Sequence, residues 1–228
     1  MSRWASDGVV FIVDDEADVR ESLSSLVSAM GLKYQQFESG EQFIDFLESW
    51  QAGIAVAVVD VRMKGMSGLA VLERIRGMYS MLPCIIVTAY ADFTMAVDAM
   101  AGEAFTVLCK PYRDQELWER IVQALEKSEQ AYEEYCEVGA INSRFATLSS
   151  SEIAVMNLLI RGVTNKRISH LCEISPRTVD LRRKAILEKM NVASVPDLIW
   201  KLARIGYSPT EQPVDIVIAA GDDDGDDE

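Results

Sequence analysis

Between Gly8 and Glu137 the chain alternates five times between a short run rich in β-branched residues and a stretch with helical spacing, and this alternation leaves few folds open. The runs cover 8–13, 32–37, 54–59, 83–88 and 105–109; the helical stretches cover about 16–30, 40–50, 67–78, 92–102 and 114–137. Strict β/α alternation predicts a doubly wound parallel sheet with right-handed crossovers. The third run, Ile54-Ala55-Val56-Ala57-Val58-Val59, holds no polar residue, as expected of a strand covered by helices on both faces.

Charge divides the 228 residues further. Residues 1–143 carry 11 Lys+Arg against 23 Asp+Glu, residues 144–206 carry 11 against 5, and residues 207–228 carry 0 against 8. The overall −14 is therefore an acidic domain (−12), a basic domain (+6) and an acidic tail (−8). The tail ends in GDDDGDDE, a composition expected to stay disordered. The last helical stretch continues through Glu126, Glu129, Glu133, Glu134 and Glu137, further than covering a sheet requires, and predicts a connecting helix broken near Gly139. From Leu148 onward the period is helical. Ser149 with Glu152 opens that region as a capping signal.

Cys84, Cys109, Cys136 and Cys172 lack paired or metal-ligand spacing and read as reduced core thiols. No apolar run approaches the roughly 20 residues of a membrane span, and the opening MSRWASDG lacks the apolar core of a signal peptide. The expectation is a cytoplasmic protein with no membrane partner.

Several of the apolar runs end in chemistry-bearing side chains. Asp14 and Asp15 close the first, Asp60 the third, Thr88 the fourth and Lys110 the fifth. In a sheet of order 2-1-3-4-5, strands 1 and 3 are neighbours, and these groups meet at the carboxyl edge where ligands of such sheets bind. Carboxylates crowded together favour a hard divalent cation with oxygen ligands, and Mg²⁺ is usually held by one or two carboxylates plus waters. With a hydroxyl and an ammonium on the same rim, the set suits transfer of a phosphoryl group onto a carboxylate. One such acid alone reads more readily as a solvated loop residue or helix cap than as a site; the matching strand ends are what point to a site.

The segments VFIVDDEADVR (Val10 to Arg20), VVDVRMKGMSGL (Val58 to Leu69), IIVTAYAD (Ile85 to Asp92) and LCKP (Leu108 to Pro111) resemble the receiver domain of two-component response regulators, a CheY/flavodoxin-like doubly wound fold. That resemblance implies phosphorylation on Asp60 by a cognate histidine kinase. It implies Mg²⁺ bound by Asp15, Asp60 and the carbonyl of Arg62, with Asp14 orienting the ion, and Thr88 and Lys110 gripping the phosphoryl oxygens. The chain departs from the family pattern at Lys64, where proline is usual, and at Val107, where the switch aromatic is usual; Phe105 lies two residues further back.

In the basic domain, Thr164 to Leu171 reads as a short helix, Cys172-Glu173-Ile174 as a turn, and Ser175-Pro176-Arg177 as the start of a second helix with a good N-cap and N1 residue. The second helix presents Arg177, Asp180, Arg182, Arg183, Lys184 and Lys189, leaving Val179, Ile186, Leu187 and Met190 for a core. A tight turn before a basic helix predicts a helix-turn-helix whose second helix enters the major groove. Leu148 to Ser194 resembles the LuxR-type helix-turn-helix of FixJ/NarL-like regulators, with Arg182 where histidine is common. The resemblance implies contacts to double-stranded DNA from Thr164, Asn165, Lys166, Arg177, Thr178, Asp180, Leu181, Arg182, Arg183 and Lys184. It also implies a homodimer on DNA, with Leu198, Ile199, Leu202 and Ile205 forming either core or dimer contact. His170, the only histidine, reads as surface or packing.

The expected organisation is a receiver over 8–128, a linker helix over 129–147, a small all-α helix-turn-helix domain over 148–207 and a disordered acidic tail over 208–228. The expected function is a non-enzymatic response regulator that is phosphorylated on an aspartate, binds DNA and regulates transcription. A phosphorylation-independent DNA-binding regulator stays open because of Val107. A metal-dependent phosphohydrolase with an aspartyl nucleophile would need insertions over the pocket, and the loops are short.

Overall fold

The computed structural model describes residues 4–79, 81–89, 101 and 103–209. Most of the helix expected over 92–102, and the tail beyond Pro209, lie outside the described residues. Contacts divide the chain into two compact units, Met1–Tyr135 and Cys136–Glu228.

The first unit is built on strands β1 (Val9–Val13), β2 (Lys33–Phe37), β3 (Ala55–Asp60), β4 (Cys84–Ala89) and β5 (Thr106–Lys110). They pair in parallel in the order β2-β1-β3-β4-β5, the doubly wound arrangement expected. Each strand starts one residue later than its apolar run, and β3, β4 and β5 take Asp60, Thr88 and Lys110 into the ladder. Main-chain bonding continues past the last apolar side chain: Asp60 pairs with Val87, and the Val61 amide donates to the Val87 carbonyl at 2.9 Å.

All of β3 is buried, and its side chains alternate between two cores. Ala57 and Val59 join Phe11, Phe37, Phe43, Leu47, Ile75 and Ile86 on one face. Val56 and Val58 join Val10, Ile12, Val27, Ile85, Leu117, Ile121 and Leu125 on the other. A polar side chain at any of these positions would lose hydration without gaining a partner. The helices Gly40–Ser49 and Gly68–Met78 start where the Ser39 and Ser67 side chains accept the Gln42 and Ala70 amides.

The helix expected to break near Gly139 instead runs unbroken over Asp114–Phe145. One interior glycine costs only about 1 kcal/mol. Burial of Ile141 and packing of Phe145 downstream outweigh that. Upstream, the buried Ser128 hydroxyl accepts the Ala55 amide at 3.0 Å and ties this helix to the start of β3. The cysteine expectation also needs correction: Cys84 and Cys172 are buried, whereas Cys109, on the edge strand β5, and Cys136, on the long helix, are exposed. Burial pushes the Cys84 thiol up to about 12, so it is an inert core group.

The second unit contains the helices Ser150–Ile160, Asn165–Leu171, Pro176–Lys189 and Val195–Arg204 around a core that includes Val155, Met156, Ile168, Val179, Ile186, Met190, Leu198 and Leu202. Serine or threonine caps each start: Ser149, Thr164, Ser175 and Ser194. The Ser149/Glu152 capping box forms in full. Among the described residues no helix is long and apolar enough to cross a membrane.

Candidate functional site

The sheet brings Asp14, Asp60, Thr88 and Lys110 to one carboxyl edge. Asp14 is 3% exposed, Asp60 8% and Thr88 2%. The Lys110 ammonium donates to Asp60 Oδ1 at 2.6 Å and to Asp14 Oδ2 at 3.2 Å, bridging β1, β3 and β5. The other Asp60 oxygen, Oδ2, accepts the Arg62 amide at 2.6 Å, and Asp14 Oδ1 accepts the Glu16 amide at 2.9 Å. Arg20 Nη1 donates to the Asp14 carbonyl at 2.6 Å. Every oxygen of the two buried acids therefore meets a donor, which is how buried carboxylates are tolerated. The Lys110–Pro111 peptide is cis.

Burial raises the Asp14 carboxyl above its ordinary value, against the Glu16 amide and the Lys110 charge. Burial alone would lower Lys110; the hydrogen bond and charge of Asp60, then of Asp14, outweigh it and hold the ammonium above its ordinary range. Lys110 is thus a permanent cation beside the Asp60 carboxylate.

Asp15 turns from this pair toward the loop after β3, where its Oδ2 accepts the Lys64 amide at 3.3 Å. The same loop is held further on, the Met66 amide donating to Glu41 Oε1 at 2.7 Å. Sequence reasoning passed over Glu41, because an acid in the first turn after the cap Ser39 reads simply as a charge favoured at a helix start.

Among the described residues no three His, Cys, Asp or Glu side chains converge tightly enough to enclose an ion. The donor chemistry still fits Mg²⁺, which keeps much of its water and asks for only one or two carboxylates. Asp60 and Asp15 are hard oxygen donors, and both accept amides of the same loop, those of Arg62 and Lys64.

The Thr88 hydroxyl donates to the Ala89 carbonyl at 3.4 Å, and its register partner on β5 is Cys109. Val107 is half-buried against the Phe11 core, whereas Phe105 packs on the other core under the Lys127 ammonium, 5.6 Å from its ring centroid. Phe105 therefore does not take the place of an aromatic at 107.

In the second unit, Ser175 accepts the Thr178 amide at 3.1 Å and Pro176 stands in the first turn, so Pro176–Lys189 begins where expected. The turn before it uses Glu173 with φ 53, and Ser169 Oγ donates to the Ile174 carbonyl at 2.5 Å. Asn165 Nδ2 donates to Asp180 Oδ1 at 2.7 Å, locking the two short helices together. Arg177, Arg183 and Lys184 are exposed, and so is Leu181, a large apolar side chain left 61% exposed. Thr178 is engaged with Ser175, Arg182 is half-buried beside Cys172, and Lys166 is exposed. Lys189 faces away from this group, donating to Glu152 at 2.7 Å and to the Thr147 carbonyl at 3.2 Å. On Val195–Arg204, Leu198 and Leu202 are core, while Ile199 is 44% and Trp200 57% exposed.

Comparison with known families places the response regulator receiver domain over residues 10–122 and the luxR family of bacterial regulatory proteins over 146–202. The transcriptional regulatory protein FixJ of Rhizobium meliloti is 34% identical, aligned over 90% of this chain and all of its own length. FixJ of Bradyrhizobium diazoefficiens is also 34% identical, over 87% of this chain and 96% of its own. Among solved structures, the response regulator StyR shares a TM-score of 0.76 at 31% identity, covering 87% of this chain and 100% of its own. Full-length FixJ from B. japonicum shares 0.52 at 34% identity, covering 87% and 97%.

Proposed function

The chain belongs to the FixJ-like response regulators of two-component systems, with a receiver domain followed by a LuxR-type DNA-binding domain, and from this premise we propose that Asp60 accepts a phosphoryl group and thereby controls DNA binding and transcription. The observation that carries the reading is Lys110, which sits 2.6 Å from Asp60 Oδ1 at the sheet's carboxyl edge. A carboxylate oxygen of Asp60 attacks phosphorus on the phosphohistidine of a partner kinase; the P–N bond breaks with its electron pair left on nitrogen, a mixed carboxylic–phosphoric anhydride forms, and the imidazole leaves neutral, its other ring nitrogen already carrying the proton. Lys110 then loses its ion pair with the Asp60 carboxylate, keeps that with Asp14 and gains phosphoryl oxygens, joined by the Thr88 hydroxyl. Asp15, Asp60 and the Arg62 carbonyl would hold Mg²⁺, with Asp14 beside them; the ion supplies charge neutralisation for the phosphoryl oxygens.

The receiver takes residues 8–128, a linker helix 129–147 and the DNA-binding domain 148–207. Arg177, Arg183, Lys184 and Lys166 meet phosphate or guanine edges, and Leu181 the apolar side of a thymine. Thr164, Asn165, Thr178, Asp180 and Arg182 complete the contact set. The exposed pair Ile199 and Trp200 forms the contact between two copies on DNA. The protein works inside the cell, where its kinase and its DNA are. Val107 supports a second reading in which DNA is bound without phosphorylation. Treating the full chain with acetyl phosphate, with and without Mg²⁺, decides between them: Mg²⁺-dependent labelling at Asp60 supports control by phosphorylation, and absence of label supports the second reading.

A further inference from the structure

Alternate backbone amides of the loop after β3 donate to carboxylates from separate parts of the chain. Arg62 donates to Asp60 at 2.6 Å, Lys64 to Asp15 at 3.3 Å and Met66 to Glu41 at 2.7 Å. Asp60 and Asp15 belong to the pocket. Glu41 does not: it stands in the first turn of Gly40–Ser49, which packs against Gly68–Met78. Between the Lys64 and Met66 anchors the chain turns at Gly65, with φ +78, and a Cβ there would lie 2.6 Å from Glu41 Oε1. The Glu41 carboxylate thus fills the concave side of the loop as well as accepting from it.

We infer that Glu41 is a positioning residue for the phospho-acceptor pocket, acting through the loop 61–67 to aim the Arg62 carbonyl and the Asp60 carboxylate. The inference rests on the reading of Asp60 and Mg²⁺ given above. The Arg62 carbonyl belongs to the peptide between the Arg62 and Lys64 anchors, and its direction follows from where the loop is held at either end. The Asp60 end is held by the Arg62 amide. The far end is held by Glu41 and by the Ser67 cap on Ala70. Losing Glu41 removes the anchor on one side of Gly65 and leaves the other side to the long Lys64 bond to Asp15 at 3.3 Å, so the loop is less ordered, and an ion ligand that must first be ordered binds more weakly. A substitution at this exposed position leaves both cores untouched.

The test is calorimetric titration of the full chain with Mg²⁺ for the wild type, Glu41→Ala and Glu41→Gln, with thermal melting as the control for folding. Glu41→Ala, which removes the acceptor, should weaken Mg²⁺ binding about fivefold, the factor that matches one lost hydrogen bond. Glu41→Gln keeps an acceptor oxygen at the same place without the charge, and should stay within about twofold of wild type. Unchanged affinity in Glu41→Ala would overturn the inference. So would equal losses in Ala and Gln, which would make Glu41 a charge rather than an anchor. If the wild type itself binds no Mg²⁺, the reading of the pocket fails and this inference fails with it, an outcome distinct from the other two.

Discussion

Replacing Asp60 leaves Lys110 its bond to Asp14 at 3.2 Å, and the amide that Asp60 accepts belongs to the exposed loop residue Arg62. Asp60→Asn and Asp60→Ala should therefore fold, melt close to wild type and show no phosphoryl mass increment after acetyl phosphate. A retained increment would mean that another residue accepts the group. Glu152 gives a pH-dependent prediction. The Lys189 hydrogen bond, then the Ser149 amide, hold its carboxyl below the ordinary 4.5. A depressed folded value contributes stability that is complete above the ordinary value and disappears as pH falls through the folded one. Glu152→Gln should thus destabilise the second unit by about 1–2 kcal/mol at neutral pH, and the gap to wild type should narrow as pH falls below the ordinary 4.5. Denaturant titrations at pH 7 and pH 3 check this; an equal gap at both would contradict it. Asp14, Asp60, Thr88 and Lys110 were legible in the sequence because strand period and strand order alone bring them together. Glu41 was not, because its role depends on a loop whose path no periodicity describes.

The capped starts of the second unit's helices were equally legible. Ser175 and Pro176 stand at the positions their backbone preferences dictate, and Ser149 with Glu152 forms the expected reciprocal pair. Ser175→Ala should cost about 1 kcal/mol of stability. It should also weaken DNA binding, since it frays the end of the helix that carries Arg177 and Leu181. The end of the long helix was misread at Gly139, because local propensity argued for a stop while distant packing of Ile141 and Phe145 decided otherwise. Gly139 is exposed, helical, and has nothing within 4 Å of where a Cβ would stand. Gly139→Ala should therefore raise stability by about 0.5–1 kcal/mol. A fall in melting temperature would show that the glycine serves a bend rather than merely being tolerated.

The overall charge of −14 is compatible with a DNA-binding role because residues 144–206 carry 11 basic against 5 acidic groups. Binding of the full chain to duplex DNA should fall with salt, with a slope of log K against log [salt] of about −0.9 for each phosphate contact. Arg183→Ala should reduce that slope by about 1 if Arg183 meets phosphate, or relax sequence preference if it reads a base. The helix Asp114–Phe145 begins four residues after Lys110 and carries the chain from the first unit into the second. New charge and acceptor oxygens at Asp60 are a local event of the kind that biases a packing equilibrium elsewhere. The most direct test is genome-wide mapping of the DNA bound in cells by the wild-type chain and by Asp60→Asn, expressed at equal levels under conditions that activate the kinase. Discrete sites occupied by the wild type and depleted in Asp60→Asn are the expected result; the same sites at the same occupancy in both would contradict control of DNA binding by Asp60.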